Sequence, residues 1–291
     1  MTNKPARVMA EIGCNHKGDM AIAEELVRMA KVCGADVVKF QKRCVKQLLS
    51  QDEYSRPHPN PQHAYGSTYG EHREFLEFTA EQHAHLRDYC RQVGIGYSTS
   101  VWDTVSAREI VALEPALIKV PSASNTDFDM LKVLRDDYAG EVHISLGMTT
   151  RGEENDLIGF FEEAKAARKR LVIYACTSGY PVPFEDVCLL ELTRLRESYQ
   201  QRVMAIGFSG HHLGIAIDTA AFVLGAEWIE RHFTLDRTWK GTDHAASLEP
   251  DGLRRVCRDV KAVAKALTYK GSDVLPIEQV QRAKLKRKVL A

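Results

Sequence analysis

Apolar positions along the chain gather in short runs, separated by longer stretches where they recur every three or four residues. The short runs are rich in β-branched and aromatic residues and predict strands. They are RVMAEIG (7–13), DVVKFQ (36–41), GIGYSTS (94–100), ALIKVPS (116–122), EVHISLG (141–147), LVIYACT (171–177), VMAIGFS (203–209) and EWIERHF (227–233). The stretches between them predict amphipathic helices, as at 20–33, 104–113, 126–137, 153–169, 186–199, 214–225 and 249–268. Asp19, Asp103, Thr126 and Asp186 stand where helix caps are wanted. Eight strands alternating with helices predict a parallel sheet closed into a single-domain (β/α)8 TIM barrel over 1–280. A basic tail, 281–291, follows, with RAKLKRK at 282–288. Residues 42–80 break the rhythm: rich in Pro, His, Tyr and Gly, they predict a long loop over the face where such barrels do their chemistry.

Strand alternation then sorts the polar residues, because positions i and i+2 share a face. Lys39 pairs with Gln41, Thr99 with Tyr97, Lys119 with Leu117, Ser145 with His143, Ser209 with Gly207, and His232 with Glu230. Nearly every strand ends in a polar or charged residue, and in this fold those ends form the catalytic mouth. Two lysines with convergent hydroxyls suit a small, multiply charged anion such as a phosphate bearing a carboxylate. His211 and His232, at the ends of neighbouring strands seven and eight, suit a divalent metal with coordination positions left for substrate. The segment KGTDHAAS (240–247) adds Asp243 and His244, although its composition equally suits a turn with an Asx-type cap. His212, next to His211, diverges from it and caps or lines the start of the following helix.

Composition narrows the setting. Among 291 residues, Lys+Arg and Asp+Glu each number 39, so no global field favours nucleic acid or a membrane surface. Seven cysteines lie scattered at 14, 33, 44, 90, 176, 188 and 257, a pattern that predicts free thiols in a reducing cytoplasm. The N-terminus has no apolar export segment, and no apolar run is long enough to span a bilayer.

The motifs AEIGCNHKGD (10–19), GADVVKFQ (34–41), KVPS (119–122), SLGM (145–148), CTSGYPVPFEDV (176–187), GFSGHHLG (207–214), IERHFTLD (229–236) and GTDHAASLEP (241–250) resemble, in order, those of the sialic acid synthase family. The resemblance implies an enzyme that condenses phosphoenolpyruvate with an N-acetylhexosamine to a nine-carbon 3-deoxy-2-keto acid. It further implies that Lys39, Gln41, Thr99, Lys119, Ser122, Ser145 and Ser209 bind phosphoenolpyruvate. His211 and His232 would hold Mn2+ or Mg2+. Asn15, Tyr180, Asp243 and His244 would contact the sugar, with Asp243 joining the two lysines and two histidines in catalysis. A cytoplasmic homodimer is also implied. Three departures bear on the acceptor. Gly210 stands where the family commonly has an acid, Ser124 stands where many members have another, and the usual C-terminal antifreeze-like domain is not found. An acceptor other than N-acetylmannosamine is therefore expected, such as mannose, a modified amino sugar or a phosphorylated sugar. The rivals are a related synthase using a phosphorylated aldose, a metal-dependent sugar isomerase, and a non-catalytic sugar-acid binder.

Overall fold

The computed structural model describes residues 4–287. Eight parallel strands close a barrel in sequence order: β1 (Arg7–Gly13), β2 (Val37–Lys42), β3 (Gly96–Val101), β4 (Leu117–Val120), β5 (Glu141–Ser145), β6 (Leu171–Cys176), β7 (Ala205–Gly210) and β8 (Trp228–His232). All eight predicted strands are present, on one domain. Their ends move mainly where the apolar run spilled into a loop, as at β4.

The helices follow from stripe and cap. Helix Met20–Cys33 buries Ala23, Leu26, Val27, Ala30 and Cys33, one face of a 3.6-residue period. Asp19 accepts from the N–H groups of Ala21 and Ile22 at its start. Gly34 closes it at φ 91, in the left-handed region where glycine is unstrained. Asp103 caps helix Thr104–Val111 through Ser106 N–H. Two predicted caps fall elsewhere. Asp127, not Thr126, accepts from Met130 N–H to cap Phe128–Asp136. Asp186 lies inside a 3-10 turn, Phe184–Val187, because the chain reverses at Cys188 (φ 49) before helix Glu191–Tyr199 begins. The predicted helix 153–169 divides into Arg151–Glu163 and Ala167–Arg170 around Lys165, at φ 54.

Two further expectations are corrected. Residues 42–80 are not a structureless loop but carry helices Val45–Leu48, Gln51–Ser55 and Tyr69–Leu76 with a 3-10 turn, Pro61–His63. Reciprocal capping boxes, Ser50 with Glu53 and Thr68 with Glu71, start two of them. The basic tail does not begin after the last helix, since helix Pro276–Leu285 runs through position 281 with its side chains exposed. Residues from Lys288 onward lie outside the described residues.

Inside the barrel, Met9, Val37, Leu117, Val172, Ala205 and Trp228 pack a dry base, with Tyr174 above them. Gly207 makes room for that ring: a Cβ there would come within 2.5 Å of it. The next layer up is polar. The register sets Glu11 beside Lys39, Ser100 beside Lys119, and Ser209 beside Glu230. Alternate residues such as Val38, Phe40, Ile118, Ile144, Ile173, Phe208 and Ile229 face the helices and join one continuous outer core. All seven cysteines are free thiols, and no helix among the described residues is long and apolar enough to cross a membrane.

Candidate active site

The C-terminal ends of the strands enclose a cavity of about 260 Å³. Its floor consists of two buried ion pairs. Lys39 Nζ lies 2.5 Å from Glu11 Oε2 and donates to Ser100 Oγ at 2.6 Å. Lys119 Nζ lies 2.7 Å from Glu230 Oε2 and 3.8 Å over the Tyr174 ring. Gln41 Nε2 donates to Glu11 Oε1 at 2.7 Å, and Ser209 Oγ donates to Glu230 Oε1 at 3.0 Å. Ser122, Ser145, Tyr180, His211 and His232 complete the predicted residues that the fold brings to this wall.

Four predicted residues do not line it. Thr99 points outward with Tyr97 and Val101, which belong to the outer core, and its hydroxyl is buried without a partner. The outer face of β3 must be apolar to receive helices, so the small polar residues of the alternate face, Ser98 and Ser100, turn inward. Ser100 takes the place expected of Thr99. Asn15 is buried, donating from Nδ2 to Phe233 O and Ser247 Oγ, both at 2.9 Å. His244 is buried with Nδ1 2.7 Å from Thr234 Oγ1. Both hold loops together. Asp243 stands half-buried at the rim, its Oδ2 4.0 Å from His232 Nδ1. The loop that carries it is pinned back on β8 by Leu248 N–H to His232 O and Thr234 N–H to Leu248 O.

Glu11 and Glu230, not anticipated as site residues, were visible as charged residues on the inward face of otherwise apolar strands. Burial would raise the Glu230 carboxyl, but Lys119 and then Lys39 outweigh it and hold the group well below the usual carboxylate range. Burial raises Glu11, and Lys39 offsets this only in part while Glu230 adds to it. Burial lowers Lys119 more than Glu230 restores it. The resting floor thus holds two ammonium and two carboxylate groups, with Glu11 the one most ready to take a proton.

The imidazole rings of His211 and His232 stand 5.4 Å apart between centroids, and the Tyr180 ring lies 4.3 Å from that of His211. His211 Nδ1 donates to Thr177 O at 3.0 Å, which leaves the lone pair on Nε2. His232 Nδ1 is buried without a hydrogen-bond partner, and burial lowers the ring to about 4, against the pull of Asp243. Two neutral imidazoles fit a divalent cation whose remaining positions go to water or substrate. Among the described residues no group of three or more His, Cys, Asp or Glu side chains is gathered to hold one.

Gly210 reads differently in the structure. It lies on the outward face of β7, and a Cβ there would meet the rings of His212 and Phe208 at 2.8 Å. A carboxylate at this position would point at His212 rather than into the cavity, so its absence leaves no gap beside His211. His212 itself lines no cavity wall. Arg231 Nη1 lies 3.0 Å from His212 Nε2, Arg231 Nη2 donates to His212 O at 2.6 Å, and Asp218 pairs with the same guanidinium at 2.5 Å.

Residues 26–272 match the NeuB family. The chain belongs to that family. It is 37% identical to human N-acetylneuraminate-9-phosphate synthase, covering 99% of this chain and 78% of that protein. It is 31% identical to the N,N'-diacetyllegionaminic acid synthase of Campylobacter jejuni, over 91% of this chain and 78% of that one. The solved N-acetylneuraminic acid synthetase of Leptospira borgpetersenii shares the fold with a TM-score of 0.81 at 24% identity, over 98% of this chain and 94% of that one. This NeuB-family barrel is therefore a member of the sialic acid and nonulosonate synthases.

Proposed function

We propose that this chain condenses phosphoenolpyruvate with an aldose of the hexosamine class, forming a nine-carbon 3-deoxy-2-keto acid and releasing phosphate by C–O cleavage. The observation that carries this reading is the floor: two buried lysines within reach of Gln41, Ser122, Ser145 and Ser209, beneath a histidine pair. Ammonium and hydroxyl groups fixed in a dry cavity suit the phosphate and carboxylate of one small trianion, and hold it ready for attack. The sugar enters from above, where Tyr180 and Asp243 meet its hydroxyls. A divalent ion such as Mn2+ or Mg2+, held by His211 and His232, supplies Lewis-acid polarisation of the aldehyde. Carbon 3 of phosphoenolpyruvate forms the new bond to the aldehyde carbon, and the positive character that grows at carbon 2 is met by a water oxygen. The bond from carbon 2 to the phosphate oxygen then breaks, leaving the ketone. Lys39 and Lys119 balance charge on the phosphate and carboxylate throughout.

Phosphate release from phosphoenolpyruvate with a panel of hexoses and hexosamines, with and without Mn2+, tests this. Sugar-dependent release is expected, and none with any sugar would leave a sugar-acid binder instead. His232→Ala should abolish release while the circular dichroism spectrum stays unchanged. Full activity in that variant would refute the metal assignment.

A further inference from the structure

A second cavity, of about 240 Å³, opens against the first and shares Trp102 and Ala123 with it. Its charged lining residues are Arg43 and Arg73, and no acid lines it. The guanidinium of Arg43 lies 4.0 Å from the centre of the Trp102 ring and is neutralised by Glu77, with Nη1 to Oε1 at 3.1 Å. Arg73 has no such partner among the described residues. Its Nε and Nη2 donate to Tyr69 OH at 3.0 and 2.8 Å, and its guanidinium lies 5.0 Å from the centre of the same ring. Both contacts are to a neutral group, which leaves the charge uncompensated. Trp102 adds a donor, since its Nε1–H is buried without an acceptor. The cavity thus offers a free guanidinium and an orphaned N–H, a donor set that lacks its acceptors. Oxyanions are what such a set binds, and a guanidinium can meet one with two parallel hydrogen bonds.

Its place gives the anion a role. Arg43 also donates to Gln41, a wall residue of the first cavity, so the two spaces share a hydrogen-bonded partition. The carboxyl of Asp243, at the sugar's rim, is raised by burial but brought below its usual value by His232, by Thr242 and by Arg73 and Arg43. The positive field of the second cavity therefore reaches the acceptor's side of the mouth. A sugar with its aldehyde beside His211 and His232 points its far end away from those strands, toward the β3 and β4 loops that carry Trp102 and Ser124.

We propose that Arg73, with Trp102 and Arg43, forms a subsite for a phosphate monoester at the end of the acceptor distant from its aldehyde. This rests on the condensation reading above and adds the acceptor's charge class to it. The test compares kcat/KM for a hexosamine 6-phosphate with that for the unphosphorylated hexosamine, at saturating phosphoenolpyruvate. Wild-type protein should favour the phosphorylated sugar at least tenfold. Arg73→Gln should lower that ratio at least tenfold through KM, and Arg73→Lys should restore part of it. An unchanged ratio in Arg73→Gln, or a wild-type preference for the unphosphorylated sugar, would overturn the subsite. If Arg73 instead governs use of a hexuronic acid, the phosphate assignment fails. Calorimetric titration of the hexosamine 6-phosphate needs no turnover and separates this from the condensation reading. Binding by wild type and loss in a folded Arg73→Gln supports the subsite even if no phosphate is released, and equal binding by both refutes it.

Discussion

At the scale of single residues, the pairing of Lys119 with Glu230 is the most exposed to disruption. Lys119 is only 1% accessible, and its ammonium is held by one carboxylate and one aromatic face. Removing one member of a buried pair leaves the other charge stranded, at a cost of about 3–5 kcal/mol. Glu230→Ala is therefore expected to shift the urea unfolding midpoint by that amount, and Lys119→Met combined with Glu230→Leu should recover much of it. Equal loss in the single and double variants would mean that the pair is not the source. The lysines were legible in the sequence because a charged residue at the end of an apolar strand has few other uses. Their carboxylates were harder to see. Glu11 and Glu230 sit one turn of the pleat deeper, and only the register across the barrel shows them facing Lys39 and Lys119.

At the scale of elements, the apolar rhythm located all eight strands, because buried parallel strands carry continuous β-branched runs. It did not say which face of β3 looks inward, and Thr99 was assigned accordingly. That choice depends on helices packing against Tyr97 and Val101, which alternation alone cannot rank. The segment 42–80 was misread for a different reason: its helices are short, and short helices lack a periodic stripe. The capping boxes at Ser50 and Thr68 were the available signal. The turn after β7 shows how an element holds a working residue. His212, Arg231 and Asp218 clamp the backbone beside His211, and Gly210 leaves space for the His212 ring. Gly210→Ala should destabilise the protein by about 1–3 kcal/mol through overpacking. Adding His212→Ala should relieve the clash in the same unfolding assay, and a double variant no more stable than Gly210→Ala would exclude that contact.

At the scale of the whole molecule, buried neutral histidines tie stability to pH. Burial lowers His16 and His83 to about 3 and His143 to about 4, from an ordinary value of 6.5. His16 stacks on Phe78 at 4.0 Å, His83 lies 2.8 Å from Tyr97 OH, and His143 lies 2.7 Å from Tyr174 OH. Above pH 6.5 these rings are neutral whether the chain is folded or not, so they impose no pH dependence. Below it the unfolded chain takes up protons that the native state refuses. Stability should therefore fall as pH drops from 6.5 toward 4, by about 1.4 kcal/mol per pH unit for each ring. Urea titrations at pH 7, 6 and 5 check this, and a flat midpoint would show that the rings accept protons in the folded state. His83→Phe should reduce the slope by one ring's share.

The balanced floor of two lysines and two carboxylates makes the mouth an ion exchanger. An incoming trianion meets cations that are already satisfied, so it binds by trading places with Glu11 and Glu230 as the partners of Lys39 and Lys119. When phosphate departs, the carboxylates are at hand to take the ammonium groups back, and neither lysine is left bare inside the barrel between turnovers.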